Sequence, residues 1–430
     1  MTEKIVPKKL IIPFILITSM FALWGFANSV TDPMVQAFKK VLELSNSQAA
    51  WVQMAFYGGY FCMALPAAFF VRKFSYKTGI LIGLFLYALG AILFYPAAIT
   101  EQFWFFCLGL YILTFGLAFL ETTANPYILS MGKKETATQR LNLAQIFNPV
   151  GSIAGLFVAQ QFILKKLQSD NIDNYQLLDD AQKIIIKTSD LMVIRNPYVI
   201  LGLVIILFFI LIALYKMPEG KDRTEIESIQ KTFKILLKNK SYIFGVISQL
   251  FYVGAQIMCW TYIYQYAEAL DISSQKASNY QFIAFILFFF GRILGTYLLK
   301  TIKAGSLLMI FASFSSLTIL ITILAQNILG LYSLVLTSFF MSVMFPTIYG
   351  IALQDLNENV SKIGAAGLVM AIVGGALMPK LQGNIIDIGG YAVNDVKILG
   401  VSEINFSFIL PLICFIIVIL FGKYTSKKIN

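Results

Sequence analysis

The stretch NPYVILGLVIILFFILIALYK, residues 196–216, carries no charge before Lys216 and gives way at once to MPEGKDRTEIESIQKTFKILLKNK, residues 217–240, where charges recur throughout. In helical form about 20 apolar residues rise far enough to cross a hydrocarbon core of about 30 Å. The first stretch therefore reads as a membrane span and the second as an aqueous connector. Working outward in both directions, eleven more runs of the same kind are read at 10–36, 48–71, 77–98, 102–131, 139–164, 241–268, 276–300, 304–326, 328–354, 362–388 and 404–422. The composition agrees: 58% hydrophobic, 13% charged and a mean hydropathy of +0.76 lie far from the values of a soluble domain. The opening MTEKIVPKK and its apolar run share the charge pattern of a secretory signal. That run exceeds an h-region of about 7–15 residues, so it is read as an uncleaved first span.

A net charge of +11 would point a soluble protein toward nucleic acid, but here the lysines and arginines sit in alternate loops. Lys4, Lys8 and Lys9, the stretches 72–77 and 133–140, the 217–240 connector, and Lys423, Lys427 and Lys428 all fall on one side. The positive-inside rule makes that side, and both termini, cytoplasmic in a bacterial inner membrane. The connector divides the chain into bundles 1–216 and 241–430, giving an all-α membrane protein of twelve transmembrane helices in two six-helix, pseudo-symmetric bundles. Two echoes support the symmetry: Asn125-Pro126 in the fourth span against Phe345-Pro346 in the tenth, and Gly151 to Gly155 in the fifth against Gly374-Gly375 in the eleventh. The segment 165–195, with Asp173, Asp179, Asp180 and Asp190, is read as a solvated loop or short helix. The four cysteines lie singly within apolar segments and the chain has no histidine. No metal and no cofactor are expected, and proton chemistry falls to carboxylates.

Few ionisable residues remain inside the spans: Asp32 in the first, Glu121 in the fourth and Arg292 in the eighth. A charge at mid-bilayer costs about 2.5–3.5 kcal/mol, so such residues usually face a cavity or a partner. Protonation removes most of that cost for a carboxyl, which suits Asp32 or Glu121 to reversible proton uptake. Arg292 lies near the end of its span, from which its long side chain can snorkel. Gln145 and Asn148, three residues apart, share one face of the fifth helix and either glue helices or line a cavity. Trp24, Tyr57, Tyr60, Trp260 and Tyr264 are candidates for stacking on a sugar ring.

At FALWGFANSVTD (21–32), FYGGYF (56–61), FSYKTGILIGLFLYALGA (74–91), LETTANPYI (120–128), RLNLAQIFN (140–148), FYVGAQIMCW (251–260), GRILGTYL (291–298) and FPTIYG (345–350), the chain resembles the fucose/proton symporter family of the major facilitator superfamily. The resemblance covers both halves and implies a major facilitator fold. It implies that Asp32 lies by the sugar site, that Glu121 is linked to proton uptake, and that Gln145 and Asn148 help form the sugar cavity. Asn28, Asn125, Gln256 and Trp260 join them as expected substrate-binding residues. The first-helix motif usually carries paired asparagines and here reads Asn28-Ser29. Expected is proton-coupled monosaccharide uptake by alternating access, with L-fucose as substrate and the chain acting as a monomer. Glucose, galactose or N-acetylglucosamine as substrate, and sodium as coupling ion, are the alternatives. A membrane-embedded enzyme is the rival from another class, and it lacks a nucleophile with an oriented base or clustered ligands. A channel is the second rival, distinguished by equilibration without accumulation.

Overall fold

The computed structural model describes residues 5–44, 51–171, 178–217, 228–388 and 396–428. Among them twelve helices are long and apolar enough to cross a membrane. They are α1 (Ile11–Val41), α2 (Trp51–Lys73), α3 (Tyr76–Thr100), α4 (Phe103–Ser130), α5 (Lys134–Lys166) and α6 (Asp180–Leu214). The second set is α7 (Lys240–Glu268), α8 (Lys276–Leu298), α9 (Ala304–Leu324), α10 (Ile328–Leu353), α11 (Glu358–Ile386) and α12 (Glu403–Lys427). The connector of residues 217–240 contains a short helix, Ile229–Lys238, and its residues 218–227 lie outside those described.

The packing repeats six helices on. The α1·α5, α2·α4, α3·α4 and α3·α6 pairs of the first bundle recur as α7·α11, α8·α10, α9·α10 and α9·α12. In membranes close backbone approach takes the place of a hydrophobic driving force between helices, so small residues mark the tight pairs. A Cβ added to Gly151 would stand 1.7 Å from the Ala22 oxygen, and one added to Gly374 would stand 2.1 Å from the Leu250 oxygen. The glycine echo thus closes α1 on α5 and α7 on α11 in the same manner. Outward faces carry exposed Leu203, Leu207, Ile210 and Leu214 on α6, as a lipid-facing surface requires.

Two charged residues depart from the sequence reading. The sixth span was expected from 196, with 165–195 as a solvated loop or short helix; instead α6 runs from Asp180. Asp179 caps its start, accepting the Gln182 amide at 2.7 Å. Asp190 is fully buried in α6 and accepts the backbone N–H groups of Gln168 at 2.8 Å and Ser169 at 2.9 Å. It therefore satisfies the orphan donors of the turn Gln168–Asn171. Asp173 lies outside the described residues.

Arg140, counted above with the loop cations, is completely buried. Its guanidinium donates to the carbonyls of Ile128 (2.8 Å), Leu129 (2.5 Å) and Ile5 (3.1 Å) and to the Thr136 hydroxyl (3.1 Å). Ile128 and Leu129 sit in the last turn of α4, where carbonyls run short of helical donors, Ile128 keeping the Met131 N–H at 3.2 Å, and carry the negative end of the helix dipole. A cation at this position was legible as topology only; burial makes it the cap of α4.

Candidate functional site

A cavity lies on the seam between the bundles, walled by α1, α2, α4 and α5 on one side and α7, α8, α10 and α11 on the other. It encloses about 120 Å³. That is room for about ten waters on the same measure, the scale of a single sugar ring. One end is closed: α2 packs on α11, and the first half of α5 packs on α8 and α10. The loops at that end are those around 74, 132 and 355, two of which belong to the basic set.

The walls differ in chemistry. From the first bundle come Asn28, Ser29, Glu121, Gln145, Asn148 and Ser152, with Trp24, Tyr57 and Tyr60. Trp24 is buried, stacked on Phe21 and donating from its indole nitrogen to the Tyr60 hydroxyl at 2.9 Å. The Gln145 amide donates to Asn125 Oδ1 at 3.0 Å, which fixes its orientation, and Asn148 Nδ2 reaches the Phe21 carbonyl at 3.4 Å. Glu121 is buried at the cavity edge, and its Oε2 has no hydrogen-bond partner among the described residues. An unsatisfied buried carboxyl oxygen is costly and invites a proton or a ligand hydroxyl. The second bundle supplies Val253, Ile257, Phe285, Phe345 and Ile372, relieved by Gln256, Trp260 and Arg292. Trp260 is held by a hydrogen bond to Ser338 Oγ at 3.1 Å and by Phe285, ring centroids 4.6 Å apart. A wall rich in polar groups facing a largely apolar one, with aromatic rings on both, suits a molecule with hydroxyl edges and an apolar C–H face.

Of the residues singled out from sequence, Asn28, Glu121, Gln145, Asn148, Gln256 and Trp260 meet at this cavity. Asn125 is fully buried one layer behind, as the acceptor for Gln145. Asp32 belongs to α1, one turn beyond Asn28, and its side chain lies outside the described residues. Tyr264 does not line the cavity, whereas Trp24, Tyr57 and Tyr60 do.

Arg292 corrects an expectation. Rather than snorkelling, it lines the cavity, is 2% exposed and lies over the Phe288 ring at 4.6 Å. It donates from Nε to the Ser342 carbonyl at 2.7 Å and from Nη1 to the Gln145 carbonyl at 2.8 Å. The signal was present in the sequence. Pro149 and Pro346 each stand four residues beyond those carbonyls and have no N–H to give them. Ser152 and Phe285 had no such signal and were missed.

Two repeated six-helix bundles with a polar cavity on their seam, closed at one end, define a multi-pass membrane carrier. Over residues 14–379 the chain matches the Major Facilitator Superfamily, and it belongs to that superfamily. It is 54% identical over 431 residues to the L-fucose-proton symporter of Haemophilus influenzae, covering 98% of each chain. It is 34% identical to the L-fucose-proton symporter of Escherichia coli K12, covering 97% of this chain and 94% of that one. The crystal structure of the major facilitator transporter FucP in the outward conformation superimposes with a TM-score of 0.86. Identity there is 33%, with 97% of this chain and 99% of that chain covered.

Proposed function

We propose that the chain is a proton-coupled L-fucose carrier of the bacterial inner membrane, acting as a monomer by alternating access. Bundles 1–216 and 241–430, joined by the 217–240 connector, rock about the seam. Both termini are cytoplasmic, so the closed end of the cavity faces the cytoplasm and the sugar enters from outside. Gln145 and Asn148, with Asn28, Asn125, Gln256 and Trp260, hold the sugar; Asp32 stands beside it and Glu121 carries the coupling proton. The observation that supports this reading best is the 54% identity over 98% of the chain to an L-fucose-proton symporter. The unpartnered Glu121 oxygen at the edge of a cavity with polar groups concentrated on one wall and aromatic rings on both agrees with it.

The driving force is sufficient. One proton crossing about 100 mV releases about 2.3 kcal/mol, and at about 1.4 kcal/mol per factor of ten this sustains about 50-fold accumulation. The test is uptake of a panel of labelled monosaccharides into proteoliposomes under an imposed pH or sodium gradient. L-fucose accumulation driven by the pH gradient alone is the expected result. Uptake of glucose or galactose without fucose, or a strict sodium requirement, overturns the assignment. A periplasm-active reporter fused after Asn430 stays silent if the termini are cytoplasmic.

A further inference from the structure

We infer that Arg292 is a positioning residue of the transport cycle: a clasp that holds the carrier closed at the end where α5 meets α8 and α10, by bridging two carbonyls freed by prolines. The inference rests on the alternating-access reading above and assigns to that cycle the contact it must break.

Within α5 the helix Ala137–Gln145 ends just before Phe147–Val158 begins. Pro149 cannot supply the amide that Gln145 C=O would otherwise accept. Within α10 the helix Ile328–Met341 ends just before Met344–Leu353 begins, and Pro346 leaves Ser342 C=O in the same position. Proline breaks at membrane depth persist when neighbouring groups satisfy the freed carbonyls. Here one guanidinium serves both, at 2.8 and 2.7 Å. The two half-helices also direct their negative C-terminal ends at this one cation. The planar fork of arginine suits two acceptors held at fixed separation, which an ammonium cannot match.

The two bonds have different fates in a rocking motion. Ser342 and Arg292 belong to the same bundle, whereas Gln145 belongs to the other, so separating the bundles at this end breaks the Gln145 bond alone. Two neighbours make it part of a strip. Gln139 Nε2 donates to the Thr296 carbonyl of α8 at 3.1 Å, and Asn142 Nδ2 donates to Thr347 Oγ1 of α10 at 3.1 Å. Residues 139 and 142 lie three apart along α5 and so send their side chains to the opposite bundle from one face, and the Gln145 carbonyl follows one turn further on. Arg292 is the only cation among the groups forming these three bonds, and charge-assisted hydrogen bonds are the stronger kind.

The test uses the full-length protein in a background with Cys62, Cys107, Cys259 and Cys414 replaced, carrying one reporter thiol. Thr138→Cys reports on the closed end, because Thr138 is buried there against Gly350. Ile257→Cys reports on the cavity. Arg292→Gln is expected to speed labelling of the first reporter about tenfold, equivalent to about 1.4 kcal/mol, and to slow labelling of the second. General loosening would speed both. Pro149→Ala returns an amide to Gln145 C=O and is expected to shift both reporters in the same directions by less. It should add little on top of Arg292→Gln, since both act on one carbonyl. Unchanged rates in both variants, or acceleration at both reporters, overturn the inference. L-fucose binding is measured separately on the Thr138→Cys protein, which keeps Arg292 and Ile257: shifted reporters in the variants with no fucose binding by that protein leave the clasp standing and remove the substrate assignment.

Discussion

Arg140 caps the end of α4 from a fully buried position, and its loss should destabilise the fold. Replacing it with alanine strips the described side-chain donors from the Ile128 and Leu129 carbonyls at the end of α4 and from the Ile5 carbonyl. An unsatisfied buried acceptor costs about 1–3 kcal/mol. Ile128 is fully buried, while Leu129 and Ile5 are partly exposed and water can serve them in part. Met131 N–H still reaches Ile128 C=O at 3.2 Å, which softens the loss further. We expect Arg140→Ala to destabilise by about 3 kcal/mol, within the range typical of broken buried networks. Arg140→Lys keeps a positive charge at the negative end of the helix dipole but replaces a fork by a point. It should recover only the dipole part, about 0.3–1 kcal/mol. The assay is thermal melting and inactivation half-life of purified protein in detergent, with wild type, Lys and Ala in that order. Arg140 does not line the cavity, so the surviving folded fraction should bind sugar with wild-type affinity. Equal melting of Arg140→Ala and wild type would refute the capping argument. Equal melting of the Lys and Ala variants would refute the part assigned to the dipole.

Glu121→Gln should allow sugar exchange across the membrane while abolishing pH-driven accumulation, because a pH difference biases the cycle only through a group that titrates differently in its states. Asp32→Ala should impair both; undiminished accumulation by Glu121→Gln excludes it as the essential proton carrier. Gln145→Ala and Asn148→Ala should each weaken sugar binding by about 0.5–1.5 kcal/mol, read by titration of purified protein at unchanged membrane abundance. Gly151→Val and Gly374→Val should each cost about 1–3 kcal/mol by forcing apart a glycine-closed helix pair, seen as lower melting temperature; a neutral outcome at either would undo the close-approach account. At the loop between α3 and α4, burial alone would raise the Glu101 carboxyl, but the Thr188 hydroxyl and the Lys187 ammonium, 3.1 Å away, outweigh it and hold the carboxyl below its usual range. A lowered carboxyl stabilises above its unfolded range and loses that contribution as pH falls, so Glu101→Gln should cost at most about 1 kcal/mol near neutrality. The difference from wild type should vanish on acidification.

The sequence alone determined what depends on composition along one dimension. Twelve spans follow from apolar run length against bilayer thickness, a comparison that needs no tertiary contact. The glycine echo at 151 and 374 was legible because close helix approach in a membrane admits little else. The residues of the cavity were legible as polar groups that hydrocarbon would not tolerate alone. Tertiary structure decided what each remaining charge is for. Arg140 read as a loop cation, Asp190 as a solvated acid and Arg292 as a snorkelling end, because a sequence records how far a charge lies from a span's end but not which carbonyls or amides lie beside it. Folding brings Arg140 to the end of α4, Asp190 to the turn at Gln168, and Arg292 to two carbonyls that prolines in two other helices had left without donors. Those partners come from distant segments, and only their meeting in three dimensions turns a costly buried ion into one whose hydrogen bonds are made.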